Sequence, residues 1–271
     1  MTISRAAAKG LLDDAGLRAK RALGQNFVVD PNTVRRIARL AAVGPGDRVV
    51  EIGAGLGSLT LALAETGANV TAVEIDNDLV PLLRTNLADA PEVVVVNADA
   101  MTFDWNAFLG DEKWTLVANL PYNVATPLVA DLLDDAPGIS RMLVMVQREV
   151  AERMVARPST PAYGAVSVKI AWGAEARIVG HVPASVFLPR PNVESSLVEI
   201  VRRPAPAGTA DPTVVFRLVR QGFAKRRKML RGSLAGAVDP GHFAAAGIDP
   251  EARAENLSVD DWSRLAEVVA R

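Results

Sequence analysis

The chain has 271 residues, 49% of them hydrophobic and 23% charged, with a formal net charge of -1. That balance suits a globular protein with one large domain and a smaller one, and it excludes a polycation that holds nucleic acid by bulk charge. With no cysteine and only two histidines, His181 and His242, neither a thiolate nor a histidine-rich metal site is expected, so no metal is assigned.

The amino-terminal stretch "MTISRAAAKGLLDDAGL" carries Asp13 and Asp14 and lacks an apolar core of signal-peptide length. No apolar run approaches about eighteen residues. A cytoplasmic protein without membrane contact is the expectation. A helix over "NTVRRIARLAAV" follows Asp30-Pro31, a capping residue before a proline suited to the first helical turn, and stops at "GPGD". From there β-branched runs alternate with helical patterns, as in an α/β domain with a mostly parallel sheet. "RVVEIGA", "NVTAVEID", "EVVVVNAD" and "WTLVANL" read as four strands, with helices through "SLTLALAET" and "DLVPLLRTNLA" after the first two. A helix over "TPLVADLLDD" and a strand at "RMLVMVQ" come next, then strands near "ARIVGHV" and "SSLVEIVRR". "RRPAPAGTADP" has no periodicity and reads as a linker, which divides the chain into domains 1–203 and 204–271. Beyond it only helical patterns appear: "PTVVFRLVRQGFAKRRKMLRGSL", "HFAAAG", and "SVDDWSRLAEVVAR" behind a Ser258/Asp261 capping pair.

The turn "EIGAGLGSLT" places Gly53, Gly55 and Gly57 between the first strand and its helix, where glycine lets backbone approach a ligand closely. A dinucleotide fingerprint requires its third glycine at the position of Ser58, so this loop is one residue off for a pyrophosphate. A bare glycine turn is a weak signal. Glu74, about twenty residues further at the end of the second strand, is placed to accept hydrogen bonds from ribose hydroxyls. Asp99 ends the third strand at the same sheet edge, and the three features together indicate a nucleoside-type cofactor in the crevice.

The fourth strand delivers "NLPY" to that edge. An exocyclic amine on a base is a poor nucleophile until acceptors engage its N–H groups. Asn119 offers a side-chain carbonyl and Leu120 a backbone carbonyl. Pro121 holds the residue before it extended, and Tyr122 offers a face for stacking a base, worth roughly 1–3 kcal/mol. Asn119 as a helix cap and Tyr122 as a packed loop residue is the plainer alternative.

"GQNFVVD", "EIGAGLGSLT", "VEID", "NADAM", "NLPYNVATPL", "QREVAERM", "YGAVSV" and "FLPRPNVESSLV", in this order, resemble the KsgA/RsmA ribosomal RNA adenine dimethyltransferases from about Gly24 to the carboxyl terminus. The resemblance implies a Rossmann-like S-adenosylmethionine-dependent methyltransferase fold with a small all-α carboxy-terminal domain. It implies methylation of N6 on two adjacent adenosines near the 3' end of 16S ribosomal RNA in the small subunit, with S-adenosylhomocysteine as product. It further implies that Asn26, Val28, Gly53, Gly55, Glu74, Asp99 and Asn119 hold the cofactor, that Asn119 also serves the target amine, and that Phe187 contacts the flipped adenine opposite Tyr122; taken alone, Phe187 reads as an ordinary core phenylalanine. The reaction so implied is an in-line displacement by the adenine amine, driven by positioning and by acceptors rather than by a metal.

"KRRKMLR" packs Lys225, Arg226, Arg227, Lys228 and Arg231 into what reads as two helical turns, a candidate RNA contact whose plainer reading is a solvated face. Lys20, Arg21 and Arg190 are candidates to extend it. Two other readings are carried: a macrolide-resistance methyltransferase of 23S RNA, which shares the "NLPY" type of motif, and a non-catalytic ribosome-assembly factor. A monomer is expected, since no long exposed apolar helix face stands out.

Overall fold

A computed structural model describes residues 2–270. The chain forms two compact units, one running from its start to Ala151 and resumed over Arg177–Val201, the other made of Glu152–Ala176 and everything after Val201.

The first unit opens with helix α1 (Arg5–Asp14), capped by the Ser4 hydroxyl, which the sequence patterns above did not indicate. A short strand β1 (Phe27–Val28) leads into α2 (Pro31–Ala41), whose Asp30 cap accepts from the Thr33 N–H at 2.8 Å. The alternating part follows as β2 (Arg48–Ile52), α3 (Ser58–Ala64), β3 (Asn69–Glu74), α4 (Leu79–Asn86), β4 (Val94–Asn97), α5 (Trp105–Leu109), β5 (Trp114–Asn119), α6 (Ala125–Asp135) and β6 (Ile139–Gln147). Helices α7 (Arg148–Met154) and α8 (Ala165–Gly173) lie in and beside the first entry into the second unit, before β7 (Ala174–Val182), β8 (Phe187–Leu188) and β9 (Ser195–Arg202).

The main sheet has the order β4-β3-β2-β5-β6-β9-β7. Neighbours from β4 to β6 are parallel, and β9 joins β6 antiparallel. The chain winds outward from β2 to β4 and then crosses back to β5 on the other side of β2. The ends of β2 and β5 therefore flank the point where the winding reverses, where open α/β sheets leave a crevice. In register, Ile52 faces Ala118, so Gly53 and Asn119 leave the sheet side by side. Every residue of β2 after Arg48 is buried. The core on the α2 and α3 side contains Val34, Ile37, Leu63, Val49 and Leu143, and it includes the ring of Phe187.

The second unit has its own core, built from Tyr163, Val168 and Trp172 together with Leu218, Phe243, Trp262 and Leu265. This corrects the single boundary expected after residue 203: the "YGAVSVKIAW" segment supplies core residues to the second unit although it precedes the last strands of the sheet. The Tyr163 hydroxyl fixes that arrangement by donating to the Leu257 carbonyl at 2.8 Å. The carboxy-terminal helices are α9 (Pro212–Ala224), α10 (Leu230–Ser233), α11 (Pro240–Ala246) and α12 (Val259–Val269), the last entered through the Ser258/Asp261 capping box. Among the described residues, no helix is long and apolar enough to cross a membrane.

Candidate active site

A cavity opens at the reversal point of the sheet. Its wall includes Asn26, Val28, Gly53, Gly55, Glu74 and the whole of Asn119–Tyr122. Two carboxylates, Glu51 and Glu74, also face it, with no metal-binding cluster among the described residues.

The glycine loop holds Gly53 at φ 76° and Gly55 at φ 58°, left-handed conformations that cost a side-chain-bearing residue about 1 kcal/mol or more. At Gly55 a Cβ atom would also stand 2.9 Å from the Phe27 ring. Glu74 is 4% exposed and accepts from two backbone N–H groups, Gly55 at 2.7 Å and Asp76 at 2.9 Å. Burial raises its pKa, against those hydrogen bonds and with a further push from the neighbouring Asp76 charge. The loop and the acid thus form one rigid unit before any ligand enters, and the carboxylate keeps lone pairs for hydroxyl donors.

Asn119 ends β5 half-buried, and its amide Nδ2 donates to the Asn26 carbonyl at 2.8 Å. With Nδ2 engaged in that way, the acceptor capacity of the side chain rests on Oδ1. Leu120 N–H continues the strand pairing to the Met145 carbonyl, and the Pro121 carbonyl accepts from Val124 and Ala125 to start α6. Tyr122 is half-buried, with its hydroxyl 2.9 Å from Ser195 Oγ, and burial raises its pKa. Four successive residues therefore have separate backbone or side-chain anchors.

Two site residues expected from the sequence lie elsewhere. Phe187 is 0% exposed and packs in the α2/α3 core, paired through β8 to Val28 of β1, so its ring presents no face to a base. Burying an aromatic ring in the core outweighs leaving it on a cavity wall. Asp99 is not on the cavity wall; its Oδ1 caps the turn after β4 by accepting from Met101 N–H at 2.9 Å. In the second unit, α9 ends at Ala224, and Lys225–Met229 form a turn rather than the expected two helical turns. The cause is tertiary. Arg226 pairs with Glu255 at 2.7 Å and donates to the Pro161 carbonyl at 2.8 Å, while Met229 bridges Arg253. Arg231 meets Glu251 at 3.5 Å. Lys225, Arg227 and Lys228 are exposed in that turn. Lys20 is no part of a free basic track, because Asp76 and Asp78 hold its ammonium.

The sequence reading missed Glu51 and Ser58. Glu51 is 2% exposed and accepts from the Thr60 hydroxyl at 2.6 Å; burial raises its pKa to about 8, against the Thr60 bond and helped by the Glu74 charge. Its signal was available as an acid inside the apolar run "RVVEIGA". The Ser58 hydroxyl is buried on the cavity wall with no partner in the protein alone. An orphaned hydroxyl beside two acids fits a polar, hydroxyl- and amine-bearing occupant such as S-adenosylmethionine.

Residues 16–271 match the family model of ribosomal RNA adenine dimethylases. The chain belongs to this family. It is an S-adenosylmethionine-dependent methyltransferase of the adenine dimethylase kind. The ribosomal RNA small subunit methyltransferase A of Cutibacterium acnes is 49% identical over 284 residues, covering 99% of this chain and 95% of that protein. Its namesake from Thermobifida fusca is 51% identical over 263 residues, 93% of this chain and 91% of that one. Among solved structures, a dimethyladenosine transferase from Plasmodium falciparum superposes with a TM-score of 0.74 over 88% of this chain and 95% of that one, at 22% identity, which bears on the fold. The 23S rRNA methyltransferase ErmE superposes with a TM-score of 0.68 over 91% of this chain and all of ErmE, at 28% identity.

Proposed function

We propose that this protein methylates N6 of two adjacent adenosines near the 3' end of 16S ribosomal RNA, giving N6,N6-dimethyladenosines during assembly of the small subunit. The observation that carries this is the pinned amide of Asn119, whose Oδ1 is left as an acceptor at the edge of the cavity. Relatives named as small-subunit enzymes, at 49% and 51% identity, favour the small-subunit target over the 23S target named for ErmE at 28%.

Bound S-adenosylmethionine supplies an electrophilic methyl group. In this reading Glu74 accepts from the ribose hydroxyls, while Asn26, Val28, Gly53, Gly55 and Asn119 line the pocket. Asn119 Oδ1 and the Leu120 carbonyl accept the two N–H groups of the target amine and direct its lone pair inward. Charge grows on that nitrogen in the transition state, so these fixed acceptors work more strongly there than in the ground state. Asn119 is neutral and removes no proton; the methylated amine is acidic enough to lose its proton to solvent. Tyr122 stacks on the base, which must leave its helix at a cost of a few kcal/mol, least in a loop or distorted stem. Lys225, Arg227 and Lys228 contact phosphates, and Arg226 and Arg231 shape the turn that carries them. The enzyme acts as a monomer in the cytoplasm, where ribosomes are assembled.

The test is to incubate the protein and S-adenosylmethionine with unmethylated small and large subunits separately and to measure N6,N6-dimethyladenosine by mass spectrometry. Dimethyladenosine confined to small-subunit RNA is the expected result. Product confined to the large subunit replaces this reading with the resistance-type enzyme, and binding without product replaces it with an assembly factor.

A further inference from the structure

The segment between α1 and β1 is fastened to the cavity rim by side chains that neither the glycine loop nor "NLPY" contributes. Lys20 Nζ reaches Asp76 Oδ1 at 2.6 Å and Asp78 Oδ2 at 2.7 Å, just past the end of β3. Gln25 Nε2 donates to the other oxygen, Asp76 Oδ2, at 2.7 Å, and Gln25 Oε1 accepts from the Lys20 N–H at 2.7 Å. Asp76 is 3% exposed, and both of its oxygens are engaged from this one segment. Burial works against its ionisation, but the bonds from Lys20, Gln25 and the Asp78 N–H outweigh that and keep its pKa below the ordinary value.

The turn so held, Arg21–Gly24, lies directly on "NLPY". Gly24 adopts φ 63°, and a Cβ there would stand 3.0 Å from Pro121 Cβ and 3.2 Å from Asn123 Oδ1. Asn26 closes the turn by donating from Nδ2 to the Gly24 carbonyl at 3.0 Å, and its own carbonyl receives the Asn119 amide. A continuous run of hydrogen bonds therefore joins Gly55, Glu74, Asp76 and Gln25, and the backbone from Gln25 to Asn26 carries it on to Asn119.

We infer that Gln25 and Asp76 are positioning residues for methyl transfer: their clasp fixes the Asn26 carbonyl and thereby the orientation of the Asn119 amide. The inference rests on the proposed role of Asn119. Its consequence is specific. Loosening the clasp releases the Asn119 amide to rotate, which costs turnover more than cofactor affinity, because misplacement of an acceptor is felt where charge develops.

The experiment compares Gln25→Ala, Asp76→Asn and Asn119→Ala in steady-state transfer to small subunits, with tryptic cleavage after Arg18, Lys20 and Arg21 as a second readout. Gln25 is half-buried, so Gln25→Ala is expected to melt lower than the wild type but to stay folded at the assay temperature even where the buried Asp76 variant does not, which a thermal melt checks. The expected result for Gln25→Ala is a kcat lowered about tenfold or more with a KM for S-adenosylmethionine changed far less, and faster cleavage in the cofactor-free protein. A folded Gln25→Ala with unchanged kcat, or with a raised KM alone, overturns the inference while a dead Asn119→Ala leaves the role of Asn119 standing. An active Asn119→Ala overturns both.

Discussion

The crevice at the ends of β2, β3 and β5 and the basic turn after α9 handle polar groups in opposite ways. In the crevice, Glu74, Asp76, Asn119 and Tyr122 each hold a protein partner at 2.6–2.9 Å and are buried or half-buried. In the turn, Arg226 is committed to Glu255, as Arg231 of α10 is to Glu251, while Lys225, Arg227 and Lys228 are exposed. The first region is organised before its ligands arrive, which suits chemistry that depends on acceptors being in place. The second keeps long, solvated side chains that can follow a phosphate backbone, which suits affinity without a fixed geometry.

Substitutions can break this contrast at its strongest point first. Asn119→Ala is expected to lower methyl transfer by about a hundredfold or more, as loss of one preorganised polar group in other active sites does. The fold should lose only about 1 kcal/mol with the bond to Asn26. Transfer assays beside a thermal melt check both, and retained activity removes the amide from the mechanism.

Glu51 gives the next largest effect, on stability. Its carboxyl has a pKa of about 8 in the folded chain against 4.5 when exposed, so the folded state holds a proton that the unfolded state gives up. Stability from this group is complete below pH 4.5 and is lost progressively as pH rises to about 8. Glu51→Gln keeps an acceptor for Thr60 and removes that loss. The cofactor-free variant should melt several degrees above the wild type at pH 8 and close to it at pH 4.5. Equal melting curves across the range would place the charge of Glu51 elsewhere in the ledger of the fold.

The turn should respond in a third way. Replacing Lys225, Arg227 and Lys228 by glutamine should flatten the log–log salt dependence of RNA binding by about two, at roughly 0.7 per lost phosphate contact on single strands. Arg226→Ala, by contrast, removes the pair with Glu255 and should lower the melting temperature slightly while moving the salt slope less. If the two variants change the slope equally, the division between anchoring and free cations in this turn is wrong.

The contrast also explains what could be read in advance. The strands of the sheet announce themselves as apolar runs, and their order places Gly53, Glu74 and Asn119 at one edge because register and winding follow from the pattern. Residues fixed by distant partners could not be placed that way. The helical pattern through "QGFAKRRKMLRGSL" is locally sound and is broken by Glu255, Pro161 and Arg253, all far away in sequence. The family resemblance implies a place for Phe187 at the target base, yet the core beside α2 and α3 claims its ring, as the residue taken alone suggests. Helix α1 has a local signal in the Ser4 cap before "RAAAKGLLDD". The contribution of Tyr163 and Trp172 to the second unit's core needed the tertiary fold, since nothing local marks the segment as leaving the sheet domain.

The hydroxyl of Tyr122 reaches Ser195, the first residue of β9, and the Ser195 backbone pairs with Gln147 at the end of β6. The ring is thus tethered across a neighbouring strand rather than left to rotate at the tip of its loop. Holding an aromatic side chain in one rotamer costs on the order of 0.5–1.5 kcal/mol in entropy, and here that cost falls on folding instead of on RNA binding. In the proposed reading, a base that arrives meets a surface already still, so less of the stacking energy is lost to ordering the ring. Tyr122→Phe, which keeps the ring and cuts the tether, would transfer that entropy back to the encounter.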